Sequence, residues 1–193
     1  RNVASFNALI AGYCQHEHDK EALECFVRIQ REGLFPDRVT FASTLKACGS
    51  VGATNKGKQI HVDIIREGLL GDDIVLGNAL VDMYAKCGAL AKAKQILDEL
   101  PIRDAVSWCS MMKGYALNQE PMIALDCFKS MKKQGIHPDA VTFICLLNVC
   151  CQNGMLLEAY QYFEEMETFY GIVPSIEHYS CIVDMLARSG YLY

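Results

Sequence analysis

The sequence predicts an all-α fold, an α-solenoid of stacked helix-turn-helix repeats, and three observations predict it. The first is a block that returns 102 residues later: Phe35-Pro36-Asp37-Arg38-Val39-Thr40-Phe41 comes back as His137-Pro138-Asp139-Ala140-Val141-Thr142-Phe143. Phe6, Tyr13 and Phe26 map to Trp108, Tyr115 and Phe128 at the same offset. Copied blocks mark a pile of small units rather than one globular enzyme domain. The second is a shorter rhythm inside the block. Units open at Val3, Arg38, Ile74, Ala105, Ala140 and Ile176, at intervals of 35, 36, 31, 35 and 36 residues. The third is a set of apolar columns at helical spacing. The eighth residue of each unit is Ile10, Leu45, Val81, Met112, Leu147 and Val183, and the eleventh is Tyr13, Cys48, Tyr84, Tyr115, Cys150 and Leu186. Residues three apart share one helix face.

Each unit reads the same way along its length. It opens with a helical pattern such as Asn7-Ala8-Leu9-Ile10-Ala11-Gly12-Tyr13. A break follows, often at a glycine (Gly52, Gly88, Gly154, Gly190), and then a second helical pattern such as residues 20–29. The twentieth residue of the unit is always small: Ala22, Gly57, Ala93, Ala124, Ala159. Small residues let two helices cross closely. Four positions on stand Phe26, His61, Leu97, Phe128 and Phe163. Gly33, Gly68, Gly135 and Gly171 then stop the second helix, and Pro36, Pro138 and Pro174 hold the joints out of helix. One helix pair buries too little apolar surface to stand alone, so neighbouring pairs must complete its core. The Met, Cys and aromatic stripes are therefore read as packing.

Composition narrows the function. The chain is 51% hydrophobic and 21% charged, as a soluble globular chain is. It has no apolar run long enough to span a membrane, and its first residues enter a repeat without a signal or transit peptide. The net charge of −5 argues against a general electrostatic grip on nucleic acid. It leaves room for a reader that uses hydrogen bonds and stacking. The ten cysteines occupy repeated places, such as Cys25 with Cys127 and Cys48 with Cys150. They are read as small core residues of a reduced compartment.

Several tempting signals are set aside. His16-Glu17-His18 falls at a break between helices with no third metal ligand spaced for it. His61 stands in a column of Phe and Leu. Neither C-x2-C nor H-x3-H occurs. There is no glycine-rich phosphate loop, no placed Ser, His and Asp set, and no zinc-deaminase signature. The chain is read as non-enzymatic, without cofactor or metal.

The unit lengths and three segments carry a resemblance: Gly77-Asn78-Ala79-Leu80-Val81-Asp82-Met83-Tyr84-Ala85-Lys86-Cys87-Gly88, Val106-Ser107-Trp108, and Ile176-Glu177-His178-Tyr179. The chain resembles a plant-type pentatricopeptide repeat protein of the PLS subfamily over essentially its whole length. Units 3–37 and 105–139 resemble the P type, 38–73 and 140–175 the longer L type, and 74–104 and the truncated 176–193 the short S type. The resemblance implies a right-handed superhelix that binds single-stranded RNA, with about one base read per repeat. It implies base reading by the fifth and last residues of each unit: Asn7 with Asp37, Asn78 with Asp104, Cys109 with Asp139, and Ser180. Ala42 with Asp73 and Ile144 with Ser175 are implied to read weakly. The second residue packs on the base: Ala4, Val39, Val75, Val106 and Val141, with Glu177 a departure. An Asn/Asp pair is implied to favour uracil. The thirteenth residues Lys86 and Arg188 are implied to touch phosphate. An organelle, mitochondrion or chloroplast, and a role in RNA processing or cytidine-to-uridine editing follow from the same likeness. So do accessory editing-factor proteins as partners, and a deaminase domain, where there is one, beyond this segment. The competing expectation is a protein-docking solenoid that engages partners through the L-type units.

Overall fold

The computed structural model describes residues 2–71 and 73–189. Among them run eleven α-helices and no strand. The first helices of the units are α1 (Val3–Gln15), α3 (Arg38–Val51), α5 (Ile74–Lys86), α7 (Ala105–Leu117), α9 (Ala140–Gln152) and α11 (Ile176–Arg188). The second helices are α2 (Asp19–Arg31), α4 (Thr54–Arg66), α6 (Leu90–Glu99), α8 (Pro121–Lys133) and α10 (Leu156–Thr168). The six first helices open at the residues from which the units were counted. The tail of the last unit, 190–193, with Gly190, lies outside the described residues.

The turn between the two helices of a unit is one motif, built five times. Its backbone closes by a hydrogen bond from the unit's sixteenth N–H to its eleventh carbonyl: His18 to Tyr13 at 2.9 Å, Ala53 to Cys48 at 2.8 Å, Ala89 to Tyr84, Glu120 to Tyr115 and Met155 to Cys150 at 2.9 Å. This six-to-one bond needs a left-handed residue just before it. Gly52 supplies one with φ 69°. In the two 35-residue units the same place falls on Glu17 (φ 60°) and Gln119 (φ 62°), side chains in a conformation that suits glycine. The second helices end on a similar bond, for example Leu34 N–H to the Ile29 carbonyl at 3.1 Å. The 31-residue unit drops this ending. Its helix α6 is only ten residues long and passes at Leu100 straight into extended backbone before Pro101.

The columns form the core in all but the last unit, where Val183 is 55% exposed and Leu186 half-buried; Tyr13, Tyr115 and Phe163 are half-buried too. Ile10, Leu45, Val81, Met112 and Leu147 are fully buried, and so are Ala22, Ala93, Ala124 and Ala159. Phe26 packs on Phe41, and Phe128 on Phe143 and Tyr162. His61 fills its place in that column, stacked edge-on against Tyr84 with Nδ1 3.1 Å from the phenol oxygen. Burial, with Lys92 nearby, lowers its pKa. Each of the ten cysteines is a free thiol.

The chain forms two compact bodies, Arg1–Ile102 and Arg103–Tyr193, so the division follows the copied block. In the first body α1, α3 and α5 touch in succession, α2 and α4 each pack between their own partner and the next first helix, and α6 packs on α5. In the second body α7, α9 and α11 do the same. Among the described residues α2 and α4 have no close backbone approach. First helices therefore lie closer together than second helices, which gives each body a tighter first-helix side.

Candidate functional site

The residue just before each first helix caps it, and for α3, α5, α7, α9 and α11 that residue closes the previous unit. Asn2, Asp37, Asp73, Asp104, Asp139 and Ser175 are the N-caps of α1, α3, α5, α7, α9 and α11. By contrast the second helices start without a side-chain cap. Short oxygen-bearing side chains here satisfy helix N–H groups that would otherwise lack partners. The third residue of the following unit completes reciprocal capping boxes: Thr40 with Asp37, Ser107 with Asp104, Thr142 with Asp139, and His178 with Ser175. The last box is built on an imidazole. The Ser175 N–H donates to His178 Nδ1 at 3.1 Å, so Nε2 carries the proton and donates to the Ala140 carbonyl at 2.9 Å. These third-position residues were missed in the sequence, where the pattern Asp-x-x-Ser/Thr signals them.

Asn7 and Asp37, 30 residues apart, meet. Asn7 Nδ2 donates to both carboxylate oxygens of Asp37 at 3.0 Å. The Thr40 hydroxyl donates to Asn7 Oδ1 at 2.6 Å and lies 2.9 Å from Asp37 Oδ1. The Asp37 carboxyl is held below its ordinary pKa. Partial burial pushes it up, but hydrogen bonds from the Thr40 N–H, the Asn7 amide and the Val39 N–H outweigh that. Asp37 is thus a carboxylate with its acceptor sites aimed at one amide and one helix start.

The other expected readers differ. Cys109 is 4% exposed, with its thiol 3.7 Å from the Thr142 hydroxyl. It holds the place of Asn7 in its unit but sits in the core, so it offers a base no polar edge. Asp139 is exposed and caps α9. The Ser180 hydroxyl is exposed but donates to the Ile176 carbonyl at 2.8 Å, back along its own helix. Ala42 and Ile144 are half-buried and apolar. With Ala42 unable to hold it, Asp73 turns to Arg38 instead, at 3.3 Å. Asn78 is half-buried on α5 in the first body, and Asp104 caps α7 in the second.

The second residues form an exposed apolar series. Val39, Val75, Val106 and Val141 are 54–61% exposed at the starts of their helices, and Ala4 is exposed too. Four valines left in water at one register position have no packing explanation. Glu177 takes the sixth place, its carboxylate accepting from the Ser175 hydroxyl at 2.5 Å.

The two expected phosphate contacts already have partners. Lys86 Nζ donates to Asp82 at 2.7 Å, and Arg188 Nε donates to Asp184 at 2.9 Å, each one turn back on its own helix. No group of three His, Cys, Asp or Glu residues suited to a metal occurs among the described residues. Nor among them is any helix long and apolar enough to cross a membrane.

Comparison with known proteins gives consistent matches. The PPR repeat family profile matches residues 1–50, 103–152 and 138–188, and the PPR repeat profile matches 78–103. A mitochondrial pentatricopeptide repeat-containing protein of Arabidopsis thaliana is 39% identical over 98% of this chain and 34% of its own length. The chloroplastic pentatricopeptide repeat-containing protein DOT4 of the same plant is 41% identical over 100% of this chain and 22% of its own length. This chain thus spans about a third or less of these two curated relatives. The crystal structure of the pentatricopeptide repeat protein PPR10 from maize superposes with a TM-score of 0.74 at 22% identity, covering 99% of this chain and 28% of that one. Its complex with an 18-nt psaJ RNA element superposes at 0.72, with 21% identity, over 88% of this chain and 25% of that one.

Proposed function

The chain belongs to the pentatricopeptide repeat family, and from that premise we propose that it binds single-stranded RNA in a sequence-selective way, one base to a unit. The observation that carries the proposal is the Asn7–Asp37 pair beside the exposed Val39. An amide anchored by a carboxylate keeps a polar edge outward, and a base can meet that edge while its face packs on Ala4 and Val39. The maize relative solved with RNA supports the same reading. The unit lengths favour the PLS arrangement within the family.

Units differ in how well they read. Unit 3–37 reads uracil, and the Asn78 unit does so by its residue types. The unit of Cys109 reads little, because its fifth side chain is buried. Units 38–73 and 140–175 contribute packing by Val39 and Val141 more than selectivity. The segment acts by binding rather than by catalysis, within an organellar RNA-processing or editing factor, as relatives named mitochondrial and chloroplastic suggest.

Filter binding to a randomised RNA pool tests this. The wild-type chain is expected to enrich a register containing uracil, and a variant with Asn7→Ala and Asn78→Ala is expected to lose it. Equal recovery of all four bases at every position would end the proposal. Retained partner docking without any RNA enrichment would favour the protein-interaction alternative.

A further inference from the structure

We infer that Thr40, a residue of the next unit, is a positioning and specificity-determining residue for the base read at Asn7. The inference rests on the RNA-reading proposal above.

The geometry is a three-point clamp. Asn7 Nδ2 is drawn to Asp37, and Asn7 Oδ1 is drawn to Thr40 Oγ1 at 2.6 Å. An Asn amide has two N–H donors and a carbonyl with two acceptor sites. With Asp37 on one N–H and Thr40 on one acceptor site, the amide plane is fixed from both ends. A flip would set the Asn7 carbonyl against the Asp37 carboxylate and turn the Thr40 hydroxyl proton from Asn7 to Asp37. The Thr40 hydroxyl has only one proton, with Asn7 Oδ1 at 2.6 Å and Asp37 Oδ1 at 2.9 Å as its acceptors. The shorter contact assigns it to Asn7.

This sets what the base meets. The clamp leaves one amide N–H free as a donor, while Thr40 already holds one of the two carbonyl acceptor sites. Uracil presents the O4 acceptor where cytosine presents its N4 amine donor. A fixed donor beside a half-occupied carbonyl favours the first over the second, since a donor facing another donor leaves both without partners. Without the Thr40 hydroxyl both acceptor sites of Asn7 Oδ1 are open and the amide is free to turn its carbonyl toward the cytosine amine. The hydroxyl therefore discriminates between the two pyrimidines without touching either.

The second body contains an internal comparison. Thr142 makes the same capping box with Asp139, but the fifth residue beside it is the buried Cys109. Loss of the hydroxyl there removes the same cap and no clamp. A purely structural role makes Thr40→Val and Thr142→Val equivalent, whereas a positioning role separates them.

The test uses the 193-residue chain and oligo(U), oligo(C), oligo(A) and oligo(G) of equal length. The wild type is expected to prefer oligo(U) to oligo(C). Thr40→Val is expected to lower that ratio roughly fivefold, the weight of about one hydrogen bond. Thr40→Ser, which keeps the hydroxyl, should restore it, and Thr142→Val should leave it unchanged. A Thr40→Val ratio equal to wild type overturns the inference while the RNA reading stands. A wild type indifferent to base overturns the RNA reading. Exchange of the Asn7 side-chain amide protons, followed by NMR in the free protein, then still decides the clamp. Faster exchange in Thr40→Val than in wild type and Thr40→Ser supports it, and equal exchange removes it.

Discussion

Asp37 does two jobs with one carboxylate. It caps α3 through the Thr40 N–H at 2.8 Å and it anchors the Asn7 amide. Removing it by Asp37→Ala is expected to cost about 0.5–2 kcal/mol of stability, the usual weight of an N-cap. It also releases Asn7, so uracil selectivity falls together with the melting temperature. The acid side follows from the lowered carboxyl pKa. A group whose pKa is lower folded than unfolded contributes stability that is full above the unfolded value and is lost as pH falls through the folded one. Melting temperatures followed from roughly pH 5 down to pH 2 should therefore decline more gently for Asp37→Asn than for wild type. An identical decline would deny the carboxylate this role. At this scale the sequence went only part of the way. It marked Asn7 and Asp37 through a resemblance, and it marked Cys109 equally, although the fold buries Cys109. Nothing in a list of fifth residues tells a half-exposed Asn from a sulfur folded into the core.

The helix turn is the element that the fold repeats most faithfully. Gly52, Gly88 and Gly154 hold its left-handed position in three units, while Glu17 and Gln119 hold it in the other two. A side chain in that region is strained by about 1–2 kcal/mol, and glycine returns part of this as extra unfolded-state entropy. Glu17→Gly and Gln119→Gly should each stabilise the chain by about 0.5–1 kcal/mol in denaturant melts. Their effects should add, since the two residues belong to separate compact bodies. A loss of stability from either would show that the side chain makes a contact worth more than the strain. The glycine breaks were legible because glycine announces a left-handed turn. At Glu17 and Gln119 only the register of neighbouring units points there. Local helix signals were legible throughout, and the six first helices begin where the apolar columns place them.

For the molecule as a whole, charge sets the terms of any RNA contact. The net charge is −5, and the two candidate phosphate cations are already paired with Asp82 and Asp184. Each phosphate contact on a single strand contributes about −0.7 to the slope of log affinity against log salt. Two contacts give a slope of about −1.4, and Lys86→Gln should make it shallower by about 0.7. A much steeper slope in a salt titration would point to cations elsewhere. The weak electrostatic term means that selectivity must come from hydrogen bonds and packing, the roles proposed for the Asn7 clamp and the exposed valines.

By itself the sequence determined the rhythm: six unit starts, paired helices, small residues at the crossing, and glycine or proline at most joints. All of these are short-range, written within a few residues by periodicity, glycine and proline. The tertiary structure decided what meets across units. It brought Asn7 to Asp37 and Thr40, turned Asp73 to Arg38, and sank Cys109. Those outcomes depend on how one helix pair rests on the next, where a side chain's neighbours lie about a full unit away in sequence and its exposure is fixed only when they pack.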